Sequence, residues 1–484
     1  MEHQNIASFP PWLFWNGGPL VNKVAYDIKK RESDFEIWLF SPIITQTKEV
    51  KNQIDSIYSQ GIWDDYKKIT NPYEYIFLSL SRRMSRSVAI RTPLSRSYFK
   101  MLELWVGSDL MKEISVLVKR DGGLISTHAA EGPGGFIEAL HNLYENNVKY
   151  SQGMTLRSTS RTIPGWRKTT LFLNRHPKIH ISYGEDGTGD LLNIENLDHF
   201  VDNLKEKSHV YTADGGFDFS SDFNAQEETI LPLLTAEFYL GLKSIQRGGV
   251  LIVKIFDTTL RPTIELLWIV TRCFREWSII KPRTSRGGNA ERYLVCKGFL
   301  ELEESAERFF RSAITTKGEI IQSYLSTRPE IGFLQKLLSI QEAISVQEIE
   351  IIQKTLHLIQ NPNIDEIRAY IEQNVDRSIQ WCRDHKEEIN KNWLDDEWRQ
   401  KTIKEEIKEV TEPTSEKLKV TGWRGICEDS NNNEIIEPGQ PRQMPHAAKF
   451  ARNRPSNPNF VKQSGKNSRK SNSNEPDEEG WQKV

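Results

Sequence analysis

The chain has 484 residues, and 64 Lys plus Arg against 66 Asp plus Glu leave a formal net charge of −2. That balance excludes a uniformly basic nucleic-acid coat, so any basic surface must come from local arrangement. A hydrophobic content of 37% and a mean hydropathy of −0.56 predict a core diluted by a polar, disordered fraction. At ~150 residues per domain, the length predicts roughly three structural units.

Cys273, Cys296, Cys382 and Cys427 form no C-x-x-C pair, which argues against a disulfide scaffold or a cysteine zinc site. No apolar run approaches a membrane span, and Met1-Glu2-His3-Gln4 lacks the layout of a signal peptide. The expectation is a soluble protein of a reducing compartment, in nucleus or cytoplasm, or in a viral factory or virion if the chain is viral, and not secreted.

The first 90 residues are rich in rings (Phe9, Trp12, Phe14, Trp15, Phe35, Trp38, Phe40, Trp63) without a clear period. Most of these rings are expected to pack against a neighbouring domain. Between Tyr98 and Phe299, β-rich runs around His209 to Thr212 and Gly249 to Phe256 alternate with helical patterns at Phe136 to Asn146 and Ile230 to Gln246. That alternation predicts βαβ units and a parallel sheet.

Within this region, Leu124 to Ala129 reads as a buried strand running into Glu131-Gly132-Pro133-Gly134-Gly135-Phe136 and then a helix. Glycines here permit a tight turn and close approach of backbone to a ligand, and a helix start presents free N–H groups. The loop departs from the G-x-G-x-x-G dinucleotide fingerprint. It suits a nucleoside lying against it better than a pyrophosphate.

Asp214-Gly215-Gly216-Phe217 follows the strand ending at Thr212, and Lys254 ends the run Val250-Leu251-Ile252-Val253. Carboxyl ends of strands are where open α/β sheets bind ligands. By itself, Lys254 reads as a solvated cap rather than a functional group. Lys281-Pro282-Arg283-Thr284-Ser285-Arg286 comes next, then Glu291 opening the run from Arg292 to Lys297, while Lys100 stands upstream in Ser95-Arg96-Ser97-Tyr98-Phe99-Lys100.

From Ser312 to about Trp393 the pattern is helical, with Ile349, Ile352, Leu356, Ile359 and Ile364, Ile367, Ile371, Val375 at three- and four-residue steps. Ser345 with Glu348 and Asn363 with Glu366 look like capping boxes opening two helices separated by Pro362. Beyond residue 411, Asn, Ser, Pro and charges dominate, a composition that cannot bury enough apolar area to order itself. Eight basic residues with no acid run from Arg442 to Lys470 (Arg442, Lys449, Arg452, Arg454, Lys462, Lys466, Arg469, Lys470). This tail is either a solvated linker or an RNA-tethering arm acting on phosphates. The expected organisation is an extension over 1–90, a central domain over 91–300, a helical domain over 301–411 and a disordered tail over 412–484.

Lys100, Asp214, Lys254 and Glu291 together resemble the Lys-Asp-Lys-Glu tetrad of FtsJ-type RNA ribose 2′-O-methyltransferases, and their surroundings match too. Ser95 to Lys100 is similar to the family's S-R-[AS]-x-[FY]-K segment. Ala130 to Phe136 is similar to its methyl-donor loop, and Lys281-Pro282 through Ser285-Arg286 to Glu291-Arg292-Tyr293-Leu294-Val295 is similar to its K-P-x-x-S-R stretch. Two further segments resemble the cap-specific mRNA branch. These are Asp214-Gly215-Gly216-Phe217 with Asn224, Gln226 and Glu227, and Gly184 to Asp190 followed by Ile194-Glu195-Asn196, where Ile194 replaces the usual Pro. The four ordered motifs cover roughly residues 91 to 300.

The resemblance implies an α/β, Rossmann-like fold and S-adenosyl-L-methionine held by Glu131, Gly132, Pro133, Gly134, Gly135, Phe136, Asp190 and Asp214. It implies a substrate of capped mRNA, with Phe223, Asn224, Ser285 and Arg286 binding it, and no metal. A lysine acts as base only when its pKa is lowered toward neutrality, which a second lysine favours and carboxylates oppose. Lys254 is the expected base, Lys100 and Glu291 tune it and orient the hydroxyl, and Asp214 holds Lys254 near the methyl. A capping enzyme or polymerase is an expected partner of the helical domain. The alternatives are an rRNA or tRNA ribose methyltransferase, which needs neither the helical domain nor the tail, and a non-catalytic RNA-binding capping subunit. Such subunits lose a tetrad residue or the glycine loop, and both are intact here.

Overall fold

The computed structural model describes residues 13–18, 26–30, 36–58, 62–78, 81–157, 165–166, 169–216, 223–315 and 321–411. Its centre is an eight-stranded sheet. Five strands are parallel: β3 (Leu124–Ala129), β4 (Val148–Met154), β5 (Ile179–Ser182), β6 (Ser208–Ala213) and β7 (Ile245–Ile255). Three more extend it antiparallel: β9 (Arg292–Phe299), β8 (Phe274–Ile280) and the short β1 (Trp15–Asn16). The spatial order is β5-β4-β3-β6-β7-β9-β8-β1. β3, β6 and β9 are buried along their whole lengths, as strands covered on both faces must be. The chain builds outward from β3 to β5, then returns to β6 beside β3. This reversal opens a crevice at the carboxyl ends of β3 and β6, the topological switch point at which doubly wound sheets bind ligands.

The two faces of the sheet close two different cores, and β7 shows the alternation. Val250 and Ile252 join a core with α3 (Ser97–Gly107), α6 (Gly135–Tyr144), α13 (Ile364–Asp384) and α14 (Asp396–Thr411). Leu251, Val253 and Ile255 point the other way, into a core with α8 (Ile194–Asp202), α9 (Gln226–Ser244), α10 (Arg261–Arg272) and α11 (Glu304–Thr315). The remaining helices are α1 (Pro42–Tyr58), α2 (Trp63–Thr70), α4 (Leu110–Glu113), α5 (Ser115–Arg120), α7 (Thr170–Arg175) and α12 (Ile331–Gln360).

The flanks share these cores with the central region. Trp15 on β1 lies against Trp277 on β8, ring centroids 5.1 Å apart. Trp63 and Val50 pack on Ile352 and Leu356 of α12. Phe9, Trp12 and Phe35 lie outside the described residues, and Phe40 is 70% exposed rather than packed. Two elements differ from the sequence expectation. Residues Ile321–Leu325 form a strand, β10, which pairs antiparallel with β2 (Tyr26–Lys30) from the other end of the chain. Ser345 and Glu348 do not open a helix. α12 runs through them, because Phe333, Leu337 and Ile344 carry the apolar stripe upstream and both polar residues are buried, Glu348 meeting Lys51 of α1 at 3.4 Å. Asn363 does cap α13, its side chain accepting from the backbone N–H of Asp365 at 3.0 Å and Glu366 at 3.1 Å. Cys427 and residues 412–484, with the basic stretch, lie outside the described residues. Among the described residues no helix is long and apolar enough to cross a membrane.

Candidate active site

Four chain segments bring the expected tetrad together. Lys100 projects from the first turn of α3, Asp214 follows β6, Lys254 lies near the end of β7 and Glu291 immediately precedes β9. Lys100 Nζ lies 2.7 Å from Glu291 Oε1. Lys254 Nζ lies 3.2 Å from Asp214 Oδ1 and donates to the Asp214 backbone carbonyl at 2.8 Å. Ser285 Oγ donates to Glu291 Oε1 at 2.9 Å. All four side chains keep only 12–15% of their surface, so each pair is desolvated yet reachable.

Burial works against the Glu291 carboxylate, but Lys100 and Lys254 prevail and hold it at about 2. Lys254 departs from expectation. Burial pulls its pKa down, but Asp214, Glu291 and Glu237 outweigh that, and the net direction is up. Three acids act on this ammonium, so proton loss needs a further positive charge nearby.

The glycine loop closes the crevice floor. A Cβ on Gly135 would stand 2.2 Å from Ser97 Oγ and 2.4 Å from Ser95 Oγ, so only glycine lets α6 start against the Ser95–Lys100 segment. Glu131 is buried at its tip. Its Oε1 accepts from Thr212 Oγ1, while Oε2 lies 3.3 Å from His128 Nδ1 and has no hydrogen-bond partner among the described residues. Burial raises its pKa. Phe136 turns into the core against Tyr293, centroids 5.7 Å apart, and leaves only its backbone to a ligand. On the loop after β5, Asp190 Oδ1 accepts from the Leu192 backbone N–H at 2.9 Å. A donor combining a nucleoside with a charged amino-acid end fits these groups. The loop offers helix-start amides, Glu131 an unsatisfied acceptor, and Asp214 and Asp190 carboxylates.

The expected substrate residues divide. Ser285 joins the tetrad through Glu291. Arg286, 35% exposed by side chain, is held by Glu74 at 2.9 and 3.1 Å. Arg96 also ion-pairs with Glu74, at 3.7 Å. Asn224 is exposed and donates to Asn52 Oδ1 of α1 at 2.6 Å. The Phe223 side chain and Phe217 lie outside the described residues. Glu227 is structural. Its buried carboxylate accepts from the backbone N–H of Thr259 and Leu260, both at 2.8 Å, and from Thr259 Oγ1 at 2.7 Å.

Sequence reasoning passed over three supports. Tyr293, two residues beyond Glu291 and so on the same side of its strand, donates to Asp214 Oδ1 at 2.9 Å. Lys281 Nζ donates to the backbone carbonyls of Asn289 and Glu291, the latter at 3.0 Å. Arg292, wholly buried, donates to the Ala290 carbonyl at 2.9 Å, to Asp257 at 2.8 Å and to Gln341 of α12 at 2.7 Å. Asp257 in turn meets Lys51 of α1 at 3.2 Å. The backbone on either side of Glu291 is thus pinned by charges anchored in both flanks. For Tyr293, position i+2 from an acid was a signal available in the sequence. For Lys51 and Gln341 none was.

A sheet of this order, with a glycine loop after its first parallel strand and paired lysines and acids at its carboxyl edge, is a doubly wound α/β domain with charged groups at its ligand-binding edge. Residues 93–299 match the family model described as FtsJ-like methyltransferase, and the chain therefore carries an FtsJ-like methyltransferase domain. It is similar to the cap-specific mRNA (nucleoside-2′-O-)-methyltransferase 1 of Dictyostelium discoideum, 28% identical over 390 residues that cover 74% of this chain and 49% of that protein. It is also similar to the cap-specific mRNA (nucleoside-2′-O-)-methyltransferase 2 of Danio rerio, 27% identical over 66% of this chain and 44% of that protein. The cap-specific mRNA (nucleoside-2′-O-)-methyltransferase 1 of Trypanosoma cruzi is 33% identical over 37% of this chain and 49% of its own length. The chain thus spans about half the length of these curated relatives.

Proposed function

We propose that this protein methylates the ribose 2′-hydroxyl of the first transcribed nucleotide or nucleotides of capped mRNA, with S-adenosyl-L-methionine as donor. The reading rests above all on one observation: two lysine–acid pairs, Lys100–Glu291 and Lys254–Asp214, meet at the crevice beside the glycine loop. Residues 91–300 would carry the chemistry, and the segments on either side its supports and partner contacts.

The donor, when bound, supplies an electrophilic methyl on a positively charged sulfonium. Glu131 to Phe136, Asp190 and Asp214 would hold it. The transfer is an in-line displacement, so this chain's task is to align the ribose oxygen and accept its proton. Lys254 Nζ, fixed by the Asp214 carbonyl, is the proton acceptor. It can act once a positive charge beside Asp214 offsets the acids that hold its proton. Lys100 and Glu291 orient the hydroxyl, and Ser285 keeps Glu291 turned toward it. Phe223 and Asn224 would meet the methylated guanine, whose charge favours an aromatic face. Arg286 would meet a phosphate. Capped mRNA is the macromolecular partner, with a capping enzyme or polymerase as a second partner of the helical segment, in nucleus or cytoplasm.

The test is methyl transfer to a short capped RNA beside its uncapped twin, with the product nucleotide mapped. Label on the ribose of nucleotide one or two of the capped RNA alone is the expected result. Equal labelling of both RNAs would favour an rRNA or tRNA enzyme.

A further inference from the structure

The turn Asp214-Gly215-Gly216 has two charged neighbours standing where its side chains would be. A Cβ on Gly216 would lie 3.3 Å from Lys254 Nζ, and a Cβ on Gly215 would lie 2.1 Å from Glu237 Oε1. Gly215 is therefore what allows a glutamate from α9 to close on the turn that a lysine from β7 also reaches. Glu237 is wholly buried in the middle of α9, and neither carboxyl oxygen meets a side-chain hydrogen-bond partner among the described residues, although the Gly215 backbone amide is turned toward it. Leu233 and Ala130 are the other groups crowding the Gly215 position, at 3.0 and 3.1 Å. Tyr211, the nearby hydroxyl on β6, donates at 2.7 Å to the Glu237 backbone carbonyl and not to its carboxyl.

An ionised carboxyl in such a place is far costlier than a neutral one. Four groups from three strands bear on it: Lys254 on β7, Asp214 after β6, Glu131 after β3 and Tyr211 within β6. Burial pushes Glu237 up to about 8, with Asp214 and Glu131 pushing the same way and Lys254 and the Gly215 amide opposing. Conversely, a Glu237 carboxylate is one of the charges that hold the proton on Lys254.

We infer that Glu237 is a positioning residue for the base: as a neutral acid behind the turn it leaves Lys254 free to give up its proton, and as a carboxylate it holds that proton in place. The inference rests on Lys254 being the base. Glu237 touches no reacting atom. On ionising it gives its proton to solvent, and its effect reaches the reaction only through the charge state of Lys254. The consequence is a brake on the alkaline side. The rate, which climbs as Lys254 loses its proton, should climb less steeply once Glu237 ionises.

The experiment is single-turnover methyl transfer to capped RNA, with saturating donor, across about pH 6 to 10, for wild type, Glu237→Gln, Glu237→Met and Lys254→Ala. Both Glu237 variants are neutral at every pH, and Met adapts to irregular apolar space. They should match wild type near pH 6.5 and exceed it near pH 9.5, by about tenfold for each unit by which Lys254 is released. The KM for RNA should stay unchanged. Superimposable profiles beside an inactive Lys254→Ala would overturn this inference and leave the base assignment standing. A fully active Lys254→Ala would overturn both. Should neither Glu237 variant fold, pH-difference infrared spectroscopy of the wild-type protein serves instead. The absence of any protonated-carboxyl band at neutral pH would overturn the inference.

Discussion

The Tyr293 hydroxyl donates to Asp214 Oδ1 at 2.9 Å, tying the start of β9 to the end of β6 across the intervening β7. Lys254 sits directly opposite Tyr293 in the β7–β9 register, so one phenol fixes the acid that faces the proposed base. Burial and the neighbouring acids raise the Tyr293 pKa far above its ordinary value, and it acts as a donor at every working pH.

Tyr293→Phe removes that donor and leaves Asp214 to Lys254 alone. A hydrogen bond to a charged acceptor contributes about 1.5–3 kcal/mol, so turnover should fall by roughly tenfold or more where that bond tightens as the transition state forms. Parallel kinetics and urea denaturation check this. An unchanged rate beside lowered stability would assign Tyr293 to the fold alone.

Lys254→Ala should lower methyl transfer by ~10²–10⁴-fold, the usual contribution of a general base. Donor affinity should stay within a few-fold, because Lys254 is read as base and not as donor ligand. Calorimetric titration with the donor, beside turnover, separates the two effects.

The pH profile has a definite sign. Lys254 is raised above its ordinary value, and the neutral amine is the working form, so activity should rise with pH throughout the range in which the protein stays folded. Glu291, held at about 2, stays ionised and adds no limb above about pH 4. A rate falling steadily from about pH 6 to 9, on protein shown to be folded, would contradict the role of Lys254.

Glu74→Gln takes the paired carboxylate from Arg286 and leaves Arg96 only its bonds to the backbone carbonyls of Tyr73, Glu74, Phe77 and Thr284. Burial opposes the Glu74 charge, but Arg286 and Arg96 hold its pKa far below the ordinary carboxylate value of 4.5. Its contribution to stability is therefore fully present above about pH 4.5 and lost as pH falls toward the folded-state value. The variant should be less stable by about 3–5 kcal/mol at pH 7. Urea midpoints at pH 7, 5, 4 and 3 should show the gap narrowing only below about pH 4.5.

Removal of residues 412–484 should preserve folding and the chemical step, since the site lies within residues 100–291 and a composition of Asn, Ser, Pro and charges cannot form a core. Binding of longer RNA should weaken, with a flatter salt dependence, because the stretch from Arg442 to Lys470 offers up to eight phosphate contacts. Each lost contact lowers the log–log slope by ~0.7 on single strands. Affinities at two salt concentrations decide the matter, and equal slopes would make the tail a linker or a protein-docking segment.

The sequence by itself determined the local features. β3 was legible residue for residue, because a short apolar run ending in a glycine loop needs only neighbouring residues to specify it. Asn363 was legible as a cap for the same reason: its partners are two and three positions away. The four tetrad residues could be named from their motifs. That they meet within 2.7 and 3.2 Å was decided by strand order, which brings β9 back between β7 and β8. Ser345 was misread because an N-cap and a buried mid-helix serine share the same local letters, and only the contacts of α12 with α1 and the sheet distinguish them. The ion cluster behind Glu291 was wholly tertiary. Lys51 and Asp257 are 206 positions apart, and no local pattern marks two charges that become stable only where chain topology buries them against each other.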